Sequence, residues 1–199
     1  MLKLSERTTE RTTARAADRE DRPGRRERRR RRRALREQDR RSAKLAELRH
    51  IDALLLDAET VIERGWIQHA WFAYDDPSGT RHAVTTYSGR GLPVDRVAAT
   101  CLVGAIVHAA GGPAVARSQL VQRTIDLTWH ALYRNEHDAV RMSCPQVERA
   151  GHVFDLARWN DRPGRDVHDV TVLLDRARAI AQAERDRTQA AALEPIGSA

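Results

Sequence analysis

Apolar residues recur at intervals of three and four along most of the chain after residue 42, which is typical of amphipathic helices. Glycines and prolines separate these periodic segments and are typical of turns. The pattern predicts five helices: residues 43–64, a helix from near Pro93 to Gly111, a helix after Pro113, a helix from Pro145 to Asn160, and a helix with Asp166 as its N-cap. Their expected inward residues include Leu55 and Ile62, Val97 and Ala105, Ile125 and Trp129, Val147 and Phe154, and Val170 and Leu174.

The segment from Trp66 to Ser88 has a different pattern. Aromatic and β-branched residues lie on both sides of a turn-forming cluster, Asp75 to Gly79. This arrangement predicts a short β-hairpin or an extended loop. The expected fold is therefore mainly α, a small four- to five-helix bundle with this short hairpin, preceded by a basic N-terminal arm.

The arm carries most of the positive charge. Residues 1–49 hold 19 Lys and Arg against 9 Asp and Glu, a net charge of +10, whereas the whole chain is +7 and the remainder is therefore −3. We divide the chain into residues 1–41, an arginine-rich arm that is disordered or conditionally helical; residues 42–185, a helical domain; and residues 186–199, a disordered tail. The arginines of interest are Arg25, Arg26, Arg28, Arg29, Arg30, Arg31, Arg32, Arg33, Arg36, Arg40 and Arg41.

Such a run of cations favours DNA or RNA as a partner, because arginine forks bind phosphates and displace counterions. No aromatic residue occurs before Ile51, so base stacking by the arm is not expected. The arm would then supply affinity and not sequence discrimination. Two alternatives remain open: a solvated tail without a ligand, and arginine-rich sequence translated from upstream of the true start.

Catalytic and metal-binding motifs are absent from the sequence. There is no Walker motif, no G-x-G-x-x-G and no G-x-S-x-G, and the eight histidines and two cysteines show no recognised zinc spacing. We predict no catalytic residue, no metal and no cofactor. One alternative stays open, a zinc site assembled from residues far apart in the sequence, since His130 and His137 are followed by Cys144 and His152. Cys101 and Cys144 follow no signal peptide and no apolar stretch is long enough to span a membrane, which leads us to expect a soluble cytoplasmic protein without a membrane partner.

Three short motifs carry a resemblance to a known family. They are Gly65-Trp66 after the first helix, a C-x-x-G-A segment at Cys101 to Ala105, and Trp159-Asn160-Asp161 before the last helix. Together they resemble a family of small helical domains found in actinobacteria and their phages, over about residues 45–180. The family has no assigned function, so the resemblance implies a fold and no activity.

Each motif has a structural and a functional interpretation. Gly104 is expected to pack against a bulky neighbour, Trp129 or Trp159. The turn from Trp159 to Arg165 is expected to close a corner of the fold, or else to form a recognition patch at Trp159, Asn160, Asp161 and Arg165. Two further functions compete with nucleic-acid binding: a protein-interaction module that uses the Trp66–Tyr74 segment, and a small enzyme with a site near Cys101 and the Trp159 turn.

Overall fold

A computed structural model describes residues 24–85, 93–134, 140 and 144–193. In these ranges the chain forms five α-helices and three β-strands, which confirms a mainly α-helical fold with a small antiparallel sheet. The helices are α1 (Arg25–Arg64), α2 (Leu102–Ala109), α3 (Gln119–Tyr133), α4 (Gln146–Asn160) and α5 (Val167–Leu193). The strands are β1 (Phe72–Asp75), β2 (Arg81–Val84) and β3 (Val97–Thr100).

The chain divides into two compact units, Met1–Ala43 and Lys44–Ala199. The boundary falls within α1, which continues from the arginine run to Arg64 without a break. This continuity follows from composition, because no Gly or Pro occurs between Arg25 and Arg64, and Ala, Leu, Arg, Glu and Gln dominate there.

The hairpin is present at the expected place. β1 pairs antiparallel with β2, and the turn between them is organised by Asp76, whose Oδ1 accepts hydrogen bonds from the backbone N–H groups of Ser78 and Thr80 at 2.8 and 2.9 Å. Gly79 has a φ of 83°, a left-handed conformation that glycine adopts without strain. Residues 86–88 of the predicted segment lie outside the described residues.

The prediction of a helix beginning at Pro93 was wrong for its first half. Residues 94–96 form a 3-10 turn, and Val97–Thr100 form β3, which pairs antiparallel with β1 so that the strand order is β2-β1-β3. Val97 and Thr100 are β-branched and suit a strand. Helix α2 begins at Leu102, one residue after Cys101, which is its N-cap.

The core of the second unit is formed by apolar side chains from the C-terminal half of α1, from β1, and from α2 to α5. Its largest fully buried members include Leu48, Ile51, Leu55, Phe72, Leu102, Ile106, Ile125, Leu156 and Leu174. Burial on this scale stabilises the unit by about 1.5–3 kcal/mol for each large side chain.

The predicted inward face of α4 was wrong. Val147 and Phe154 are 86% and 65% exposed, whereas Leu156 and Trp159 are buried. The helix is instead turned so that Arg149 and His152 meet the buried carboxylate of Asp126 on α3. The inward face of α4 therefore combines the buried apolar residues Leu156 and Trp159 with a charge-paired contact to α3.

Helix α5 begins with the predicted cap. The backbone N–H of Asp169 donates to Asp166 Oδ1 at 3.0 Å, and the backbone N–H of Asp166 donates to Asp169 Oδ2 at 3.2 Å, a reciprocal capping arrangement. The helix continues to Leu193, into the span 186–199 that the sequence assigned to the tail. None of the described helices combines the length and the apolar character needed to cross a membrane.

Candidate functional site

The arginine run forms an exposed helical surface. All residues from Arg25 to Arg40 are exposed, and Arg41 is half-buried. Residues 25–41 hold eleven arginines and three acidic residues, a net charge of +8. Two of the acids pair within the helix, Glu27 with Arg31 at 2.8 Å and Glu37 with Arg41 at 3.3 Å.

Helical geometry arranges several of these arginines in a line. Arg25, Arg29, Arg32, Arg36 and Arg40 follow one another at intervals of four, three, four and four residues, which places them on one face of α1. At 1.5 Å per residue this arginine stripe is about 22 Å long. The sequence gives the number of charges, whereas the helix shows that five of the arginines lie on one face.

The Trp159–Arg165 turn is built around Asn160, which is completely buried. Asn160 Oδ1 accepts hydrogen bonds from Trp66 Nε1 at 2.8 Å and from the backbone N–H of Leu102 at 3.1 Å. Its Nδ2 donates to the Ile67 carbonyl at 3.2 Å, and its own carbonyl accepts from Gln68 Nε2 at 2.9 Å. One amide thus joins the end of α4 to the segment after α1 and to the start of α2.

The neighbouring residues of the turn extend this network. Asp161 Oδ1 accepts from Asn160 Nδ2 and from the backbone N–H of His69, both at 2.9 Å. His69 has a φ of 62°, an unusual left-handed conformation for a residue other than glycine, and the bond to Asp161 holds it there. Trp159 is buried, and the Arg165 guanidinium stacks on its ring at 4.1 Å.

Two glycines allow close backbone contact in the same region. A Cβ on Gly65 would lie 2.1 Å from the Ala98 carbonyl oxygen, and a Cβ on Gly104 would lie 2.1 Å from the Trp71 carbonyl oxygen. Gly104 is therefore a packing residue as predicted, but its neighbour is the Trp71 backbone and not the Trp129 or Trp159 ring. The backbone N–H of Gly104 also donates to Cys101 Sγ at 3.4 Å, which closes the cap of α2.

These contacts give the three motifs a structural account. Gly65-Trp66, Cys101 with Gly104, and Asn160-Asp161 meet in one hydrogen-bonded junction, and their polar groups are used within the fold. Burial raises the pKa of the Cys101 thiol to about 11, so this cysteine is a poor nucleophile at neutral pH. The Trp66–Tyr74 segment is similarly engaged, because Phe72 is buried and Trp66 donates to Asn160.

A second polar cluster, which the sequence did not predict, lies between α3 and α4. Asp126 is only 4% exposed, and its Oδ2 accepts hydrogen bonds from Arg149 Nε and Nη2 at 3.0 and 2.9 Å. Its Oδ1 lies 2.9 Å from His152 Nδ1. The Trp129 ring stacks on the His152 ring with centroids 4.0 Å apart, and Trp129 Nε1 donates to Asp155 Oδ2 at 3.0 Å.

Cys144 completes this cluster. Its Sγ lies 3.9 Å from His152 Nδ1, and one potential ligand atom from each of Asp126, Cys144 and His152 lies within 4.8 Å of the other two. Burial raises the pKa of the Cys144 thiol to about 11, and a hydrogen bond to Asp126 and its negative charge act in the same direction. The hydrogen bond from Arg149 to Asp126 correspondingly raises the pKa of the guanidinium, which stays charged.

A pocket of about 590 Å³ adjoins this cluster through Arg149. Its lining combines two guanidinium groups and two side-chain amides with apolar surface: Trp71, Arg117, Gln122, Gln146, Arg149, Ala150 and Val153. Such a lining suits a small molecule with an anionic or polar group.

Two features of the sequence bear on the cluster: the potential zinc ligands Cys144 and His152, and the position of Asp126. Asp126 stands between Ile125 and Leu127 in a segment predicted to be buried, and a carboxylate in such a position requires a partner. Its partners lie more than 15 residues further along the chain, and the spacing of Cys144 and His152 matches no known metal motif.

The fold and this junction define a small helical domain with a three-stranded antiparallel sheet. The chain belongs to a family of unknown function (DUF6197), and the match spans residues 46–180. Neither the curated proteins nor the solved structures contain a match to the chain. Membership of this family agrees with the expected family of unknown function and with its expected span, and it assigns no activity. The three motifs as a signature of the family, and its actinobacterial and phage origin, stay predictions.

Proposed function

We propose that this protein is a non-enzymatic accessory or regulatory module that associates with nucleic acid through its arginine-rich arm. The observation that carries the proposal is the exposed helix Arg25–Arg41, with a net charge of +8. Exposed cations attract the phosphate backbone of any DNA or RNA, and the release of condensed counterions drives the binding.

The geometry of the arm supports binding to phosphates. The arginine stripe presents five guanidinium groups over about 22 Å, and phosphates of one DNA strand follow one another about every 3.4 Å along the helix axis. Each guanidinium can donate two parallel hydrogen bonds to a phosphate, which a lysine ammonium cannot do. Several phosphates can therefore be contacted at once by one face of the helix.

The charge of the rest of the chain indicates that the arm alone binds nucleic acid. Residues 50–199 have a net charge of −3 and should repel phosphate. The arm has no aromatic residue to stack on bases. The proposal is therefore one of non-specific affinity, with similar binding to duplex DNA and RNA.

Equilibrium binding of fluorescently labelled duplex DNA and RNA tests this function. Full-length protein is compared with a variant in which the six consecutive arginines at 28–33 are replaced by alanine and with a variant in which they are replaced by lysine. We expect the alanine variant to lose most of the affinity and the lysine variant, which keeps the charge, to retain most of it. Equal binding by the full-length protein and the alanine variant would remove the proposal.

A protein-binding role is the second candidate, and α4 favours it more than the aromatic segment does. Val147 and Phe154 are exposed and lie seven residues apart, which places both on one side of α4. If this side contacts a second copy of the chain, sedimentation analysis should show self-association that Phe154→Ser abolishes and Val172→Ser, at an exposed apolar position on α5, does not. A monomer at all concentrations would count against this candidate.

A further inference from the structure

Three different metal-ligating groups converge between α3 and α4. The carboxylate of Asp126, the imidazole of His152 and the thiol of Cys144 place one oxygen, one nitrogen and one sulfur within 4.8 Å of one another. Carboxylate, imidazole and thiolate are the three side-chain ligand types that zinc prefers. We infer that Asp126, Cys144 and His152 bind a zinc ion.

The distances are close to those of a tetrahedral site. With zinc bonds of about 2.0–2.3 Å, two ligand atoms of a tetrahedron are separated by roughly 3.3–3.6 Å. Here Asp126 Oδ1 lies 2.9 Å from His152 Nδ1, and Cys144 Sγ lies 3.9 Å from the same nitrogen. The first separation is shorter and the second is longer than the tetrahedral value, each by about 0.4 Å.

The surrounding residues orient the ligands as expected for a metal site. Arg149 donates two hydrogen bonds to Asp126 Oδ2, which leaves Oδ1 directed toward His152. Trp129 stacks on the His152 ring and fixes its plane, and Trp129 is itself held by Asp155. Supporting contacts of this kind orient metal-ligating carboxylates and histidines in proteins.

The ion pair between Asp126 and Arg149 does not by itself explain why His152 and Cys144 also lie beside the carboxylate. Arg149 already neutralises the charge of Asp126, so neither the histidine nor the cysteine is needed for that purpose. A zinc ion uses all three groups at once. Three protein ligands leave one coordination position for water or for a small ligand.

Binding can be tested on the full-length protein after treatment with a chelator. Zinc is added in competition with a chromophoric chelator, and cobalt(II) is added in a parallel experiment as a spectroscopic probe. We expect one equivalent of zinc to bind and the cobalt complex to show a thiolate-to-metal charge-transfer band. Cys144→Ser should remove the band and weaken zinc binding at least tenfold, and His152→Ala should weaken zinc binding by a similar factor.

Two variants serve as matched controls. Cys101→Ser removes the other cysteine but keeps an N-cap side chain, and His168→Ala removes an exposed histidine of α5. Both should bind zinc as the unchanged protein does. Circular dichroism of each variant establishes that it is folded, and Cys144→Ser remains informative if His152→Ala does not fold.

The inference is overturned if no zinc binds to the full-length protein, or if Cys144→Ser and His152→Ala bind zinc as tightly as the two controls. It is also overturned if the cobalt complex lacks the charge-transfer band. None of these measurements uses nucleic acid, so their outcome is independent of the function proposed for the arm.

Discussion

The side chain of Asn160 makes four hydrogen bonds within the fold. Its Oδ1 accepts two hydrogen bonds and its Nδ2 donates two, and it has no exposure to solvent. The sequence identified Asn160 as part of a motif but offered two explanations, a closed corner or a recognition patch. Its partners account for the closed corner, whereas recognition of a ligand by this turn stays an untested prediction.

Asn160→Ala should destabilise the protein by about 2–4 kcal/mol. The substitution leaves Trp66 Nε1 and the backbone N–H of Leu102 without their acceptor, and each unsatisfied buried donor costs roughly 1–3 kcal/mol. The measurement is the free energy of unfolding in urea. Gln68→Ala is the control, because Gln68 contributes only its amide donor to two carbonyls and should lose about 1 kcal/mol or less. A loss below 1 kcal/mol in Asn160→Ala would contradict the role given to this residue.

Gly104→Ala should cost more than 2 kcal/mol, although alanine is the better helix former. The added methyl group would lie 2.1 Å from the Trp71 carbonyl oxygen, so α2 or β1 would have to move. Gly151→Ala is a matched control in another helix, where a Cβ meets no atom within 4 Å. There the same change should be neutral or stabilise the protein by up to about 1 kcal/mol. Thermal unfolding of both variants checks the prediction, and equal effects would refute the packing role of Gly104.

At the scale of elements, local signals predicted most of the fold, and contacts between elements decided the rest. The capping residues of α5 and the Asp75–Gly79 turn act over a few residues, and they form as expected. The sequence predicts a helix where β3 lies, because the strand forms by pairing with β1, more than 20 residues earlier in the chain. The predicted inward face of α4 was wrong, and the observed face includes Arg149 and His152, whose partner Asp126 lies on α3.

The candidate sites, like the fold, could be predicted from the sequence only where they depend on neighbouring residues. The charge of the arm is visible in the sequence because it is a sum over neighbouring residues. The Asp126, Cys144 and His152 cluster is not visible, because its three residues come together only when α3 and the start of α4 pack against each other.

The helical form of the arm leads to a prediction at this scale. Alanine at Arg25, Arg29, Arg32, Arg36 and Arg40 removes the arginine stripe, whereas alanine at Arg26, Arg28, Arg30, Arg31 and Arg33 removes the same charge from several sides of α1. If nucleic acid is contacted by one face, the stripe variant should lose more affinity for duplex DNA, by about tenfold at low salt. Fluorescence anisotropy measures both. Equal losses would mean that only the number of charges matters and that the helix does not present a face.

At the scale of the whole molecule, removal of residues 1–41 should leave the fold of the second unit intact. Among the residues that the structure describes, the buried apolar core begins at Leu48, so the truncation removes none of these core residues. The thermal midpoint should therefore change by less than about 2 °C. Leu55→Ala in the full-length chain shows what a true core defect looks like, with an expected loss of about 2–5 kcal/mol. A fall of more than about 10 °C on truncation would show that the arm contributes to stability.

The salt dependence of DNA binding tests the central claim most directly. For full-length protein, the logarithm of the association constant should fall linearly with the logarithm of salt concentration, with a slope of about −0.9 for each phosphate contacted. Replacement of the six arginines at 28–33 by alanine should reduce the slope by as much as about 5, whereas replacement by lysine should leave it nearly unchanged. The result that would contradict the account is a slope that is the same for the full-length protein and the alanine variant.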